Sequence, residues 1–302
     1  MRLVIIVVLS LAAAAVFGLT SVLEQRNTKQ VPKRGALAPR LLYDLLRRRS
    51  FVWAFTLNLV GNVLQILALH LGSLAIVQPL IVLNLLFAVL IASFTIRHRP
   101  PDRTLFAGAA CCCAGVGWFL AVARPGGGFT TVGTGPALPL GFGLAAALSV
   151  CLAVARWGPV TARPLWIALA CGVDFGVNAF LLKIVPDMVS HGFSPPQRQW
   201  PLYLLVAVAP TAFLLNQSAF QAGTLIAPVL AVIVTTDPLV SILLGHTLLN
   251  ESLADSTVAI ASEAAALALM TAGIFALAHR APHVVNQQAT PELATEGRQA
   301  PG

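Results

Sequence analysis

Two acidic residues lie inside long apolar stretches of this chain, where carboxylates are rare. Asp174 and Asp237 fall roughly 15 and 18 Å into their stretches, at the helical rise of 1.5 Å per residue. An ionised carboxylate at that depth in a bilayer costs several kcal/mol unless it is paired, hydrated or facing a cavity. Asn178 follows Asp174 by one helical turn, and Ser241 follows Asp237 by one turn. Each acid therefore has a polar neighbour on its own helix face, and both are candidates for function.

The chemistry that suits these acids is the binding of a cation or a proton. Pro238 frees a backbone carbonyl near Val234, which adds an oxygen to the surroundings of Asp237. Oxygen-rich sites suit hard cations such as Mg²⁺, which keeps several of its waters, and Asp174 and Asp237 are the candidate metal ligands. The same groups suit a proton relay or a salt bridge to a cationic substrate. The alternative is a structural carboxylate that is hydrogen-bonded to a neighbouring helix.

Amide side chains add a second polar feature to the apolar stretches. Three of them recur at helical spacing and draw a stripe down one helix face: Asn58, Asn62 and Gln65. Further amides fall in later stretches: Asn84, Asn216 and Gln217. We interpret all six as facing a substrate pathway, and the alternative is hydrogen bonding between helices. Gln78-Pro79 predicts a kink beside them, where carbonyls could line the same pathway.

These residues need membrane-spanning helices to position them. The chain of 302 residues is 57% hydrophobic and 10% charged, which is typical of a polytopic membrane protein. We predict an all-α fold of nine transmembrane helices, over residues 3–23, 51–70, 74–95, 104–123, 136–155, 164–185, 200–221, 225–248 and 257–278. Only residues 24–50 and 287–302 are polar and long enough to lie outside the bilayer as more than a turn. Neither segment is long enough to build a soluble core.

The basic residues predict the orientation of these helices. When the loops are assigned alternately to the two sides, 15 of the 19 Lys and Arg fall on one side, which the positive-inside rule makes cytoplasmic. The N-terminus is then outside, the C-terminus is inside, and the acidic turn over residues 250–255 is outside. The net charge of +8 is therefore a topology signal and does not indicate nucleic-acid binding. Residues 40–49 fit either a helix on the cytoplasmic leaflet or a solvated basic loop.

A weak internal repeat divides the chain. A shift of 151 residues superposes Gly72-Ser73-Leu74 on Gly223-Thr224-Leu225 and Gln65 on Asn216. Residues 51–123 and 200–278 each hold three predicted helices that start on opposite sides, which is the pattern of an inverted repeat with a midplane site. We predict a first half over 1–123 with a cytoplasmic basic loop at 24–50, an external linker over 124–135, a second half over 136–280, and a disordered cytoplasmic tail over 281–302.

Short strings in the chain resemble a known family. The segment from Leu243 to Leu253, followed by a small-residue helix that contains Ala272-Gly273-Ile274, resembles the last hairpin of the drug/metabolite transporter superfamily in its EamA-like branch. In that family a helix ends in a Gly-Glu-type turn, although Glu251 does not directly follow a glycine here. Nine helices with four in the first half, and residues 20–26 at the end of the first helix, are similar to the magnesium-transporter-like branch called NIPA. That resemblance implies Mg²⁺ as the first substrate, and the wider superfamily implies small metabolites.

These features together predict a secondary transporter of a bacterial inner membrane that works by alternating access around a midplane site. A small solute or divalent cation is the expected substrate, with export or import of small metabolites or amines as the alternative. A non-transporting scaffold or an intramembrane enzyme is a further alternative, but no predicted span offers a Ser/His or Asp/Asp pair on adjacent turns, so we expect no enzyme. We expect no cofactor and no nucleic-acid partner. The expected partners are the lipid bilayer and the substrate, and a homodimer remains open.

The remaining polar residues of the spans have simpler interpretations. Lys183 and Glu263 fall near the predicted outer ends of their helices, so we expect Lys183 to extend towards the headgroups. Glu263 should do the same or guard an outer vestibule. Cys111, Cys112 and Cys113 are consecutive and lack zinc-site spacing, so they are expected to be packing residues. With Gly108, they form a small-residue face that should let another helix approach closely.

Overall fold

The computed structural model describes residues 2–29, 49–92, 103–123, 126–127, 129, 132–159, 162–190, 199–222, 226–252 and 256–285. Within those ranges the chain is almost entirely helical. The elements follow one another in this order: α1 (Arg2–Lys29), α2 (Arg49–Leu71), α3 (Leu74–Ile81), α4 (Asn84–Ala92), α5 (Arg103–Ala123), β1 (Gly126–Gly127), α6 (Ala137–Trp157), α7 (Arg163–Ser190), α8 (Trp200–Ala222), α9 (Ile226–Leu249), β2 (Glu251–Ser252) and α10 (Thr257–Val285).

The prediction of an all-α polytopic membrane protein is confirmed. In the described part of the chain, eight helical segments are long and apolar enough to cross a membrane, and a shorter apolar segment covers Ala107–Ala123 in α5. These segments correspond to the nine helices expected from the sequence. Several of them expose large apolar side chains on one face, which is what a lipid solvent requires.

The third predicted helix is interrupted. Val82 and Leu83 form a turn between α3 and α4, and the amide of Leu83 bonds to the carbonyl of Leu80 at 3.2 Å, one residue short of an α-helical partner. The kink predicted at Gln78-Pro79 therefore appears about one turn later. Its consequence is that Asn84 begins a helix of its own.

Contacts between helix ends show which ends lie together. Arg2 at the start of α1 donates from Nε to the carbonyl of Leu71 at 3.0 Å, and Lys183 near the end of α7 donates to the carbonyl of Gly72 at 3.2 Å. We call this the Lys183 end of the bundle. Towards the opposite end, Gln217 of α8 donates to the carboxylate of Glu24 of α1 at 3.0 Å. We call that the Glu24 end.

Glycines bring α5 and α10 into backbone contact. A Cβ added at Gly115 would lie 2.5 Å from the backbone nitrogen of Met270 and 2.9 Å from the carbonyl of Ala266. A Cβ added at Gly273 would lie 2.5 Å from the backbone nitrogen of Cys112 and 2.8 Å from the carbonyl of Gly108. The predicted close approach at Gly108 and Cys112 is thus confirmed, and the contact is reciprocal.

Glycines also set the spacing of two other helix pairs. A Cβ at Gly18 of α1 would lie 2.7 Å from the carbonyl oxygen of Asn84 of α4. A Cβ at Gly176 of α7 would lie 2.8 Å from the carbonyl oxygen of Asp237 of α9. Asn84 and Asp237 are therefore held against a neighbouring helix by a residue that has no side chain.

The predicted loop boundaries need correction at two places. Helix α1 continues to Lys29, so the basic loop does not begin at residue 24, because Glu24 is buried against α8. Helix α10 continues to Val285, so the tail does not begin at residue 281. Of the segment predicted to be a leaflet helix or a basic loop (40–49), residues 40–48 fall outside the described residues and Arg49 begins α2. The repeated turn at 223–225 and the tail beyond 285 also fall outside the described residues. In the linker, β1 pairs antiparallel with β2, with Gly127 opposite Glu251.

Candidate functional site

A polar cavity of about 150 Å³ lies among α1, α2, α3, α4, α7, α8 and α9. It brings together seven of the nine residues predicted for the pathway: Asn58, Asn62, Gln65, Asn84, Asn178, Asn216 and Asp237. Three further polar side chains of α1 join them: Thr20, Ser21 and Glu24. No Lys, Arg or His is among the described residues that line it. The polar groups of the cavity are therefore amides, hydroxyls and two carboxyl groups, and apolar side chains form the rest of its lining.

Asp237 is the acid that α9 presents to this cavity. Its Oδ1 is buried and has no hydrogen-bond partner among the described residues, and the same is true of Oδ1 of Asn178 on α7. Buried polar atoms are nearly always paired in native structures, and exceptions call for an explanation such as a ligand or water. Asp237 and Asn178 therefore line the cavity with acceptor oxygens that no described residue satisfies.

Asp174 has a different environment, although it also lies on α7. It is fully buried and is not among the residues that line the cavity. Its Oδ2 accepts a hydrogen bond from the hydroxyl of Thr211 on α8 at 2.8 Å, and its Oδ1 has no partner in the described residues. The contact with Thr211 matches the alternative interpretation, a structural carboxylate bonded to a neighbouring helix. The predicted pair of acids is thus divided between a cavity and a helix interface.

The amide stripe of α2 faces the cavity. Asn62 donates to both the side-chain oxygen of Asn58 at 2.8 Å and its carbonyl at 2.9 Å. These bonds remain within one helix, so they orient the two amides and do not join α2 to a neighbour. Gln65 lines the same cavity one turn further along α2. Gln217 is not among the lining residues, but its amide donates to the lining carboxylate of Glu24.

Glu24 is the lining carboxyl group that sequence reasoning missed. The prediction placed it in a cytoplasmic loop, whereas it is buried in α1 and its Oε2 accepts from Gln217 Nε2 at 3.0 Å. A signal for it was present in the sequence. Thr20, Ser21 and Glu24 recur at helical spacing, as the amides of α2 do, so a continued α1 places them on one face.

The Lys183 end of the bundle holds a buried ion pair. The Nζ of Lys183 pairs with the carboxylate of Glu251, and the two residues are only 6% and 1% exposed. The same carboxylate accepts hydrogen bonds from the first backbone amides of α3, Leu74 at 2.9 Å and Ala75 at 3.3 Å. The expectation that Lys183 extends towards the headgroups is wrong, because a carboxylate and a carbonyl satisfy its ammonium inside the protein. Glu263, for which a similar extension was considered, is also buried.

The described residues contain no cluster of three or more His, Cys, Asp and Glu side chains that could hold a metal ion. A dedicated site made only of such protein ligands is therefore not observed in them. Mg²⁺ that keeps its waters needs only one or two carboxylates and other oxygens. Glu24, Asp237 and the amide oxygens of the cavity are groups of that kind.

Comparison with known proteins gives one relationship that extends over most of the chain. The chain is similar to an uncharacterized protein of Corynebacterium glutamicum, with 25% identity over 246 residues that cover 81% of this chain and 84% of that protein. No family model matches the chain. No solved structure matches it significantly.

Proposed function

We propose that this chain is a secondary transporter of the drug/metabolite type that moves a small solute or divalent cation across a bacterial inner membrane. The observation that carries the proposal is the polar cavity inside a multi-pass helical bundle, in which Asp237 presents a buried oxygen without a partner among the described residues. Ionisable residues inside a membrane protein usually face such cavities when they serve a substrate or ion pathway. The site would be reached from the two sides in turn.

Repeated packing supports an inverted-repeat architecture. The same Phe-Gly dipeptide occurs on α1 as Phe17-Gly18 and on α7 as Phe175-Gly176. Gly18 packs against Asn84 at the start of α4, and Gly176 packs against Asp237, which precedes Pro238 in α9. Asn84 and Asp237 both line the cavity. Equivalent positions in the two halves would thus supply polar groups from opposite walls, as transporters with inverted repeats do.

The reciprocal contact of α5 with α10 supports the same symmetry. Gly115 corresponds to Gly273 and Cys112 to Met270, and both pairs are 158 residues apart, as are Gly18 and Gly176. The turn at Gly72 aligns instead with an offset of 151 residues. Insertions and deletions between helices account for the two offsets, and α6 is then the helix that has no counterpart in the first half.

The lining of the cavity favours a cation or a neutral hydrogen-bonding solute over an anion. Carboxylate and amide oxygens attract positive charge, and no basic side chain is among the described lining residues to balance an anion. Mg²⁺ is the first candidate, because partly hydrated Mg²⁺ is bound through few carboxylates and waters. Small amines and other metabolites form the second class of candidates.

The test is uptake of Mg²⁺ into proteoliposomes under an inside-negative potential. Wild type should show saturable uptake, and Asp237→Asn should lower it by about tenfold or more, since a charge at a desolvated site is hard to replace. Asp187→Asn is the matched control, because Asp187 is a half-buried acid of α7 outside the cavity lining. It should leave uptake unchanged.

The outcomes separate the substrate from the architecture. Uptake that is lost in Asp237→Asn but kept in Asp187→Asn, with both variants monodisperse after purification, supports transport through the cavity. Equal uptake in wild type and Asp237→Asn would contradict a role for Asp237. No uptake above empty liposomes would remove Mg²⁺ and direct the same assay to radiolabelled amines and amino acids.

A further inference from the structure

We propose that the ion pair between Lys183 and Glu251, together with the first turn of α3, is the gate that closes the Lys183 end of the cavity. The gate separates when the cavity opens to that side of the membrane. This inference rests on the proposed transport function, because a gate of this kind has meaning only for a cavity that is reached from both sides. Its evidence is the position, the connections and the chemistry of the pair.

The position of the pair is directly beyond the cavity. Asn178 lines the cavity on α7, and Lys183 follows it by five residues, a rise of about 7 to 8 Å along the helix. Ile81 lines the cavity on α3, and Leu74 precedes it by seven residues, a rise of about 10 Å. Ala179, the lining residue of α7 nearest to Lys183, precedes it by four residues, so the ion pair lies roughly one to two helical turns beyond the cavity wall.

An apolar layer fills the space between the cavity and the pair. Its members are fully or almost fully buried and belong to one hydrophobic cluster: Leu69, Leu74, Val77, Phe180, Leu181 and Leu249. They come from α2, α3, α7 and α9. A layer of buried apolar side chains opposes the passage of water and ions, and we infer that it closes the cavity towards the Lys183 end in this structure.

The pair joins the two predicted halves of the chain. Lys183 and Glu251 belong to the second half, whereas Gly72, Leu74 and Ala75 belong to the first, and all five meet at the pair. Rocking of one half against the other therefore has to break the bond from Lys183 to Gly72 and the bonds from Leu74 and Ala75 to Glu251, whereas the ion pair itself lies within the second half.

A charged pair suits a contact that must open. Inside the closed bundle the Coulomb attraction of the pair is offset by the desolvation of both charges. When the end opens, water solvates the ammonium and the carboxylate, and this hydration replaces their contacts with Gly72 and the start of α3, while the pair itself stays within the second half. The hydrogen bonds from the two backbone amides at the start of α3 to Glu251 also break, and water can accept hydrogen bonds from these amides instead. The pair thus holds the end closed without making its opening prohibitive.

The test measures access to the cavity from each side, using Ala179→Cys as a reporter in the full-length chain with its five native cysteines replaced. Ala179 is buried and lines the cavity. Oriented vesicles are treated with a charged thiol reagent from the side that carries the N-terminus. With Lys183 and Glu251 intact, labelling from that side should be slow. In Glu251→Gln and in Lys183→Met it should rise by about tenfold or more, as expected for a population shift towards the open state.

Control variants separate gating from misfolding. Lys183→Arg keeps the charge and should keep labelling slow, and Glu263→Gln neutralises a different buried acid and should do the same. The double variant Lys183→Met with Glu251→Gln leaves no unpaired charge buried, so it is informative where a single variant does not fold. Labelling that stays at the parental rate in folded Glu251→Gln and in the double variant would overturn the gate.

The result is distinguishable from failure of the transport proposal, because labelling requires no substrate. Faster labelling in the variants with no flux of any tested solute would support the gate and count against transport. Flux in the wild type with unchanged labelling in the variants would support transport and remove the gate.

Discussion

Asp237 lies in α9 and Glu251 lies in β2, two residues beyond the end of that helix, yet their carboxylates have opposite surroundings. Glu251 pairs with Lys183 and accepts two backbone amides at the start of α3. Asp237 lines a cavity, and its Oδ1 has no partner among the described residues. A satisfied buried carboxylate stabilises one arrangement of the chain, whereas an unsatisfied one is available to a ligand. The contrast predicts that substitution of the first acid affects stability most and substitution of the second affects it least.

The largest expected effect is that of Glu251→Ala. The substitution leaves the Lys183 ammonium buried without its carboxylate and removes two hydrogen bonds to α3. We therefore expect the free energy of unfolding to fall by about 3 to 5 kcal/mol. The measurement is unfolding of the purified protein in detergent. Glu251→Gln keeps an acceptor for the α3 amides and should lose less. If Glu251→Ala lowered the free energy of unfolding by less than Thr211→Val does, the contrast between the satisfied Glu251 and the unsatisfied Asp237 would be contradicted.

The next effect is expected at the glycine that packs beside Asp237. In Gly176→Ala the new Cβ would lie 2.6 Å from Cβ of Val240 and 2.8 Å from the carbonyl oxygen of Asp237. Separating α7 from α9 should cost about 2 to 3 kcal/mol, in the upper part of the range for overpacked sites. Gly117→Ala is the matched control, since nothing lies within 4 Å of its Cβ. If both alanines are tolerated equally, the packing of α7 against α9 is looser than described.

A smaller effect is expected at Asp174, which resembles Glu251 in having a protein donor. Thr211→Val removes the hydroxyl that donates a hydrogen bond to Asp174, so we expect the free energy of unfolding to fall by about 1 kcal/mol, the net contribution of one hydrogen bond. Thr211→Ser retains the hydroxyl and should preserve stability. Thermal unfolding of the two variants provides the measurement. A valine variant as stable as wild type would indicate that the bond contributes nothing, and Asp174 would then be closer in character to Asp237.

The smallest effect on stability is expected for Asp237→Asn. Asparagine has nearly the same shape, and Asp237 Oδ1 makes no described hydrogen bond that would be lost, so the change should stay within about 0.5 kcal/mol. The same preparation should lose uptake in the flux assay. A stability loss similar to that of Glu251→Ala would show that Asp237 is a structural residue, and the contrast between the two acids would disappear.

The helices and most of the cavity could be predicted from the sequence because both depend on local spacing. Apolar length locates the spans, and the recurrence of Asn58, Asn62 and Gln65 at helical intervals places them on one face that the cavity uses. Glu24 was missed because the end of an apolar run is not the end of a helix. Its polar face with Thr20 and Ser21 was the available signal.

The remaining features depend on contacts between distant parts of the chain. The direction in which Asp174 points is set by the packing of α7 against α8, which brings Thr211 to it across 37 residues. Lys183 was expected to reach outwards because it lies near the end of its span, whereas its partner, Glu251, lies 68 residues further along the chain. Spacing within one helix carries no information about such pairs. Charge and position within one helix do not decide which neighbour Asp174 contacts, or whether Lys183 reaches outwards or pairs inside the bundle.

The separation of Lys183 from Glu251 has a consequence for biosynthesis. Leu74 at the start of α3 donates its backbone amide to Glu251, which lies 177 residues later in the chain. Helices α3 and α7 are therefore synthesised well before Glu251 leaves the ribosome. Until then, the ammonium of Lys183 lacks its carboxylate partner at the margin of the nascent bundle. The Lys183 end can thus be completed only late in translation. A chain terminated before Glu251 would keep that ammonium accessible to water, and quality-control proteases of the membrane could distinguish it from the finished protein.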